Sequence, residues 1–349
     1  MSLFFHSITP KARRVAFPVF FCLLALLGLS GCKPADETTQ ISPTPPPASE
    51  TNGQWPRTVH TARGDVQLEK EPQRIVSTSI TMTGTLLAIN APVIGTGATV
   101  PNTTVADDLG FFTQWSKEAK ARNLVPMYQT EPNAEAVAGM NPDLIIISAT
   151  GGDSALKLYE QLSAIAPTLV INYDDKSWQE LALTLGHATG HKADAERVIS
   201  DFAKRLDQVK NSITLPPQPV SAFVYQAGGQ TANLWTANSA QGKLLLELGF
   251  TLATVPESVL GNTSMGHRKD IIQLGGEKLA EGLTGNTFLL FSGDRPAIEA
   301  LEANKFLSHL PPLQQNRVYA MGNDTFRLDY YSASNMLQRI EGLFKRGSV

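Results

Sequence analysis

The sequence contains two short apolar runs, PDLIIIS at residues 142–148 and PTLVINY at residues 167–173, on either side of a segment with helical periodicity. Both runs begin with proline, and their apolar residues are continuous rather than alternating with polar ones. Such runs are typical of parallel strands that are buried on both faces and joined by a crossover helix. The segment therefore predicts a strand–helix–strand unit of a parallel α/β sheet.

The same alternation of apolar runs and helical segments extends over the rest of the chain. In the first half, RIVST (74–78) and PVIGTG (92–97) precede the two runs above. The second half contains VSAFVY (220–225), TFLLFS (287–292) and RVYAM (317–321), and a helical segment at 240–248. Alternating strands and helices favour helices packed on parallel sheets. We therefore expect an α/β fold with two parallel-sheet, Rossmann-like lobes.

A longer helix is predicted between the two halves. Apolar residues recur there at three- and four-residue spacing, at Ala195, Val198, Ile199, Phe202, Leu206, Val209 and Ile213. About 20 helical residues span roughly 30 Å, which is long enough to join two lobes. An ordinary packing helix of one lobe would show the same pattern. We expect lobes at 55–190 and 215–349, joined by a helix at 191–214.

The N-terminal residues have the pattern of a lipoprotein signal peptide. Lys11, Arg13 and Arg14 precede an apolar segment at 15–29, and LSGC follows at 29–32. The apolar segment is short for a transmembrane helix, which needs about 20 residues. We expect a signal peptide at 1–31, cleavage before Cys32 and lipid on the thiol of Cys32. The alternative is a signal anchor that is never cleaved.

Residues 32–54 have a different composition from the rest of the chain. The segment SPTPPPAS (42–49) is rich in proline, serine and threonine and has almost no apolar side chains. Such a segment cannot bury enough surface to fold. We expect a disordered tether between the lipidated Cys32 and a globular body that begins near Trp55.

Charge and cysteine content exclude several classes of function. Removal of residues 1–31 leaves 26 basic and 32 acidic residues, a net charge of −6, which disfavours nucleic-acid binding. The two cysteines are Cys22 and Cys32, and the first would leave with the signal peptide. A disulfide framework and a cysteine-based zinc site are therefore excluded.

The sequence carries no strong catalytic pattern. It has no Gly-x-Ser-x-Gly, no His-Glu-x-x-His and no phosphate-binding loop. The best enzyme candidate is Ser154, because GDS at 152–154 is similar to the serine block of one esterase family, although its position in the domain differs. Since the histidines are scattered as well, we expect a protein that is not an enzyme.

Several longer segments closely resemble one family. They are GATVPN (97–102), VADD (105–108), TANLWT (231–236), DIIQLGGE (270–277) and TFRLDYYSA (325–333), besides the two runs quoted first. The body from Trp55 to Phe344 resembles the periplasmic ferric enterobactin-binding proteins of enteric bacteria. These belong to the siderophore, haem and cobalamin branch of substrate-binding proteins for ABC importers.

The resemblance implies a ligand cleft between two lobes joined by one long helix. It also implies a periplasmic protein that captures ferric catecholate siderophores and delivers them to an ABC importer. The protein then needs no cofactor, because iron enters as the already chelated siderophore. Haem, cobalamin or a hydroxamate siderophore are alternative ligands, and an esterase that uses Ser154 is the alternative from another class.

The expected ligand decides which side chains a site needs. A ferric tricatecholate is a trianion whose six phenolate oxygens saturate the iron, so the protein needs arginines and flat aromatic rings rather than metal ligands. The resemblance implies that Trp235, Arg268 and Arg327 contact the ligand. Each has a structural alternative; Arg327, for example, could pair with Asp329 or with another acid. At the first-lobe position where the family carries an arginine, this sequence has Thr104, so one cation is missing.

The resemblance also implies two residues that dock on the importer. Members of this branch present one acidic residue per lobe to arginines of the permease. The matching glutamates are Glu135, in PNAEAV (132–137), and Glu277, in GGEKLA (275–280). Both stand near the start of a helical segment, where a carboxylate also suits the helix dipole.

Overall fold

The computed structural model describes residues 54–260 and 269–347. The signal peptide predicted at 1–31, the lipidation residue Cys32 and nearly all of the predicted tether lie outside the described residues, as does Arg268. The first described elements form a hairpin of two strands, β1 (Arg57–Thr61) and β2 (Gly64–Leu68).

The first large sheet is parallel, as its apolar runs predicted. Its strands are β3 (Ile75–Ser77), β4 (Val93–Ala98), β5 (Val125–Gln129), β6 (Leu144–Ser148) and β7 (Thr168–Ile171). They lie in the order β5-β4-β3-β6-β7. Strands β6 and β7, which carry the two runs quoted first, are buried along their whole length. Burial on both faces explains why their apolar residues do not alternate with polar ones.

The second large sheet is mixed rather than purely parallel. Its strands are β8 (Val220–Gln226), β9 (Thr231–Trp235), β10 (Ile271–Gly275), β11 (Thr287–Leu290) and β12 (Val318–Ala320). Their order is β10-β9-β8-β11-β12. Strands β8, β11 and β12 are parallel, whereas β9 is antiparallel to both β8 and β10.

The short connection between β8 and β9 explains this difference from the expected parallel sheet. Only residues 227–230 join the two strands, whereas a parallel connection needs a crossover of a dozen or more residues. The segment TANLWT, which contains the predicted ligand residue Trp235, is therefore mostly strand β9. The α/β fold with two large sheets is confirmed, and the correction is that β9 runs antiparallel to the other strands of the second sheet.

The helices pack on both faces of the two sheets. They are α1 (Ile80–Ala88), α2 (Ser116–Ala121), α3 (Ala134–Gly139), α4 (Tyr159–Ser163), α5 (Trp178–Thr189), α6 (Lys192–Ser212), α7 (Ala240–Glu247), α8 (Lys278–Gly282), α9 (Arg295–Glu302), α10 (Pro311–Gln314) and α11 (Tyr330–Phe344). None of the helices in the described ranges is long and apolar enough to span a lipid bilayer.

Helix α6 is the long helix predicted between the halves. Of the seven apolar positions predicted for it, the helix buries Ala195, Val198, Phe202, Leu206 and Val209. Ile199 is half-buried, and Ile213 is buried directly after the helix ends. Helix α6 packs against α5 and α11 and shares one apolar core with residues from one face of each sheet. The helix thus connects the two sheets through a common core, while the lobe boundaries at 190 and 215 remain a prediction.

The parallel strands place several loops at one edge of the first sheet. The carboxyl ends of β3, β6 and β7 lead into Thr78, residues 149–155 and residues 172–177. In α/β sheets, the crevice outside the carboxyl ends of the strands is the usual place for a ligand.

Candidate ligand-binding site

A cavity of about 320 Å³ lies between this edge of the first sheet and the second lobe. The first lobe contributes α1, the loop after β7 and the start of α5. The second lobe contributes the end of β9, the start of α7, the start of β10 and the loop before α11. Both Trp235 and Arg327 line this cavity, so the structure brings these two predicted residues together.

Arg327 reaches across the cavity from the second lobe. Its Nη1 donates to Asp174 Oδ1 at 3.0 Å, and its guanidinium carbon lies 4.6 Å from the centre of the Tyr173 ring. Both partners belong to the loop after β7 in the first lobe. The Arg327 and Asp174 side chains are 37% and 38% exposed, so the ion pair remains open to solvent and to a ligand.

A hydrogen-bond network holds the Tyr173 ring beneath the guanidinium. The Tyr173 hydroxyl donates to Asp153 Oδ1 at 2.9 Å. Asp153 Oδ2 accepts from Ser79 Oγ at 2.5 Å and from the Thr81 N–H at 3.1 Å. Burial, and then the negative charge of Asp153, raises the pKa of Tyr173 to about 12, so its hydroxyl remains a donor.

The aromatic surface of the cavity comes from more than the predicted tryptophan. Trp235 is only 7% exposed, and its Nε1 has no hydrogen-bond partner within the described structure. Phe326 lies beside it, with ring centres 5.9 Å apart, and is 41% exposed. Phe326 is therefore the more exposed of these two aromatic residues that line the cavity.

Tyr173, Asp174 and Phe326 were not predicted as site residues. Tyr173 ends the run PTLVINY, Asp174 directly follows that run, and Phe326 precedes Arg327 in TFRLDYYSA. The sequence could have indicated them as site residues, because they lie directly after a buried parallel strand or next to a predicted ligand residue.

Asp329 has a structural role and is not the partner of Arg327. Its carboxylate caps α11 by accepting from the Ser332 N–H at 2.8 Å. It also accepts from Gln114 Nε2 of the first lobe at 3.4 Å. Burial raises the pKa of Asp329 to about 6. The acid that pairs with Arg327 is Asp174 instead.

The cavity combines positive and negative groups from both lobes. The described charged residues that line it are Lys176, Lys243, Lys269 and Arg327 against Asp174, Asp175 and Asp270, an excess of one positive charge. Helices α5 and α7 also begin at the cavity, where Ser177 and Ser239 cap their N-termini. Helix N-termini carry partial positive charge, so the whole arrangement favours an anion.

A family model for periplasmic binding proteins matches residues 75–325. The chain belongs to the periplasmic binding protein family. A relative of this binding protein, the ferric enterobactin-binding periplasmic protein FepB of Escherichia coli O6:H1, is 59% identical over 290 residues, 83% of this chain and 91% of the relative. The family expected from the sequence is therefore confirmed.

Solved structures share the architecture of this binding protein. A crystal structure of holo-ViuP matches with a TM-score of 0.75 at 34% identity, covering 84% of this chain and 96% of that one. Staphylococcus aureus SirA, solved in complex with staphyloferrin B, matches with a TM-score of 0.61 over 82% of this chain and 97% of that one. At 19% identity, the second match shows the shared fold alone.

The binding protein does not bring Thr104 to the cavity lined by Arg327. Thr104 is exposed in the loop after β4, at the same edge of the first sheet as Tyr173. Strand β4 lies three positions from β7, which corresponds to roughly 14 Å at the usual strand spacing. Arg268 lies outside the described residues, although Lys269 directly after it lines the cavity.

The two predicted docking glutamates are exposed, and neither lines the cavity. Glu135 is in the first turn of α3, after Asn133 caps that helix. Glu277 directly precedes α8 in the second lobe. Neither carboxylate forms an ion pair with another residue of the described ranges.

The remaining candidate, Ser154, stabilises its own loop. Its Oγ donates to the Ser148 carbonyl at 2.7 Å and accepts from the Leu156 N–H at 3.3 Å. Within residues 54–260 and 269–347, no group of three histidine, cysteine or acidic side chains is placed to hold a metal ion.

Proposed function

We propose that this protein captures ferric catecholate siderophores in the periplasm and delivers them to an ABC importer. The observation that carries the proposal is Arg327, which projects into a cavity between two lobes together with Phe326, Tyr173 and Trp235. The ferric enterobactin-binding relative supports the same ligand class.

The chemistry of the cavity suits a ferric catecholate. The ligand is an anion with flat aromatic rings, and its iron needs no further ligand from the protein. A guanidinium donates charge-assisted hydrogen bonds to catecholate oxygens, while aromatic side chains pack against catechol rings. The cavity of 320 Å³ is near the lower end of small-molecule pockets, and Arg327 and Phe326 are partly exposed at it, so a bulky tricatecholate would extend out of the cavity.

Tryptophan fluorescence tests the ligand class. We expect ferric enterobactin to quench the emission, because an absorbing iron complex in the cavity lies beside Trp235. Ferrichrome, a neutral hydroxamate complex, should quench little. Equal quenching by the two complexes would contradict the catecholate preference.

Two single substitutions locate the quenched tryptophan. Trp235→Phe should reduce the quenching, with a residual from Trp178, which also lines the cavity. Trp55→Phe is the matched control, because Trp55 packs under Arg57, 4.3 Å from its guanidinium, and does not line the cavity. It should leave the ligand-dependent change intact.

We further propose that the protein is not an enzyme. The bonds of the Ser154 hydroxyl to its own loop support this, since a nucleophilic serine needs a base within reach. Ferric enterobactin recovered from an overnight incubation with the protein should be intact by chromatography. Hydrolysis that disappears in Ser154→Ala would support the esterase alternative.

We also propose that lipid on Cys32 anchors the protein to a membrane. The basic residues, the apolar segment and LSGC at 29–32 support this anchor. Each CH₂ group buried in the bilayer contributes about 0.8 kcal/mol to membrane binding, so the two or three acyl chains of a bacterial lipoprotein anchor it firmly. We expect wild-type protein in the membrane fraction and Cys32→Ser in the soluble fraction.

Cys22→Ser is the matched control for this localisation experiment. Cys22 lies inside the predicted signal peptide and would be removed with it. That variant should remain in the membrane fraction. A Cys32→Ser protein that stays equally membrane-bound would contradict the lipoprotein proposal.

Four further roles are proposed on the family resemblance. Arg268 and Thr104 belong to the ligand-binding face, and Glu135 and Glu277 contact the importer. The exposure of both glutamates and their positions in different lobes support the docking role. The place of Thr104 at the same sheet edge as Tyr173 supports a position near a large ligand.

A further inference from the structure

We propose that Asp174 competes with the ligand for Arg327. In the ligand-free protein its carboxylate is bonded to the Arg327 guanidinium, and this contact lowers the affinity for highly charged siderophores. The inference rests on the proposed function, because it concerns the same cavity and an anionic ligand. It assigns to Asp174 a role in setting which ligand charge the protein accepts.

The contact between Asp174 and Arg327 joins the two lobes. The partners are 153 residues apart in sequence, and their atoms are 3.0 Å apart. Arg327 also lies over the ring of Tyr173, whose hydroxyl is bonded to Asp153. Residues of the first lobe therefore hold the guanidinium in position. Its Nη1, one of the donors that would meet a ligand oxygen, is bonded to a carboxylate of the protein itself.

The ion pair between Asp174 and Arg327 affects how an anionic ligand can bind, because of the other charges around the cavity. The neighbouring acid Asp175 is bonded to Lys176 Nζ at 2.6 Å, so its charge is balanced by another cation. Asp174 instead balances the one described arginine that lines the cavity. A ligand anion must therefore share that guanidinium with the Asp174 carboxylate, or displace it, to form a charge-assisted hydrogen bond with that arginine.

The partial exposure of the pair makes the displacement feasible. Exposed ion pairs are weak, so the Asp174 carboxylate can exchange for a ligand oxygen without a large loss of stability. After the exchange, the carboxylate stays in the loop at 172–177, close to the bound ligand. Its repulsion grows with the ligand's negative charge, so a trianion is disfavoured more than a less charged complex.

The decisive measurement is the affinity of the Asp174→Asn variant for ferric enterobactin at low ionic strength. Asparagine keeps the shape of the side chain and removes its charge. We expect binding about threefold to tenfold tighter than in wild type at 10 mM salt, where charge interactions reach furthest. The gain should shrink at 150 mM salt because of screening.

Two comparisons separate competition for Arg327 from a general change of charge. Asp175→Asn removes the same charge from the same loop but frees Lys176 rather than Arg327, so it should produce a smaller gain. In an Arg327→Ala background, Asp174→Asn should give a smaller gain, because it still removes the repulsion of the ligand but no longer releases a guanidinium.

The outcomes distinguish this inference from the proposed function. If wild-type protein does not bind ferric enterobactin, the proposed function itself fails. If wild type binds and Asp174→Asn gives no gain, the competitor role is wrong while the function stands. An equal gain from Asp175→Asn, or an equal gain without Arg327, would also overturn it. Thermal unfolding of each variant confirms that the affinities are those of folded protein.

Discussion

A protein that carries both Glu135→Ala and Glu277→Ala is expected to lose siderophore uptake completely. Both carboxylates are exposed, they belong to different lobes, and neither lines the ligand cavity. Truncating one partner of a charge pair that is buried and hydrogen-bonded in an interface costs about 2–5 kcal/mol, so losing one such pair per lobe should prevent stable docking on the importer. Uptake of radiolabelled ferric enterobactin by cells measures this effect.

Ligand affinity should be almost unaffected by the same double substitution. We expect a change of less than about twofold, or about 0.4 kcal/mol, because the cavity residues are untouched. Glu69→Ala with Glu302→Ala is the matched control, since both residues are exposed and the charge change is identical. Uptake at the wild-type rate by the Glu135/Glu277 variant would remove the docking assignment.

Arg327→Ala is expected to weaken ferric catecholate binding by roughly 10- to 150-fold. A hydrogen bond to a charged group contributes about 1.5–3 kcal/mol, and each 1.4 kcal/mol is a factor of ten. The substitution also leaves Asp174 without its guanidinium partner inside the cavity, which adds repulsion for an anion. Fluorescence titration with ferric enterobactin measures the loss.

Arg295→Ala is the control for a general loss of positive charge. Arg295 is exposed on α9, pairs with Glu299 and does not line the cavity. Its removal should change the affinity little. A change below threefold in a folded Arg327→Ala protein would mean that Arg327 is structural and that the site is misplaced.

Thr104→Arg is expected to act in the opposite direction. It introduces a cation at the first-lobe position where the family resemblance implies one, and binding should strengthen most at low salt. If only this variant fails, the site around Arg327 stands. The natural ligand is then one that presents no negative charge to the loop after β4.

The elements most accurately predicted from the sequence are those whose patterns are local. Continuous apolar runs correspond to β6, β7, β8 and β11, because strands buried on both faces need apolar residues at every position. The spacing along α6 reflects helical periodicity, which any segment of the chain displays without its neighbours. Arg327 and Trp235 followed from matched segments and did meet in one cavity.

The sequence was less informative where a partner segment decides the structure. Strand β9 was not among the predicted strands; its segment is short and partly polar, and its pairing with β8 depends on the short connection that forces a hairpin. Similarly, β5 was not predicted, because its residues are partly exposed at the edge of the sheet.

By itself, the sequence determined the α/β class, the long helix between two sheets, the family and the arginine at the cavity. Only the tertiary structure decided that Arg327 pairs with Asp174 rather than with Asp329, and that Phe326 is more exposed than Trp235. The patterns that predict strands and helices come from residues that are close together in the sequence. A contact between residues 153 positions apart depends on how the two lobes pack, so it cannot be predicted from a local sequence pattern.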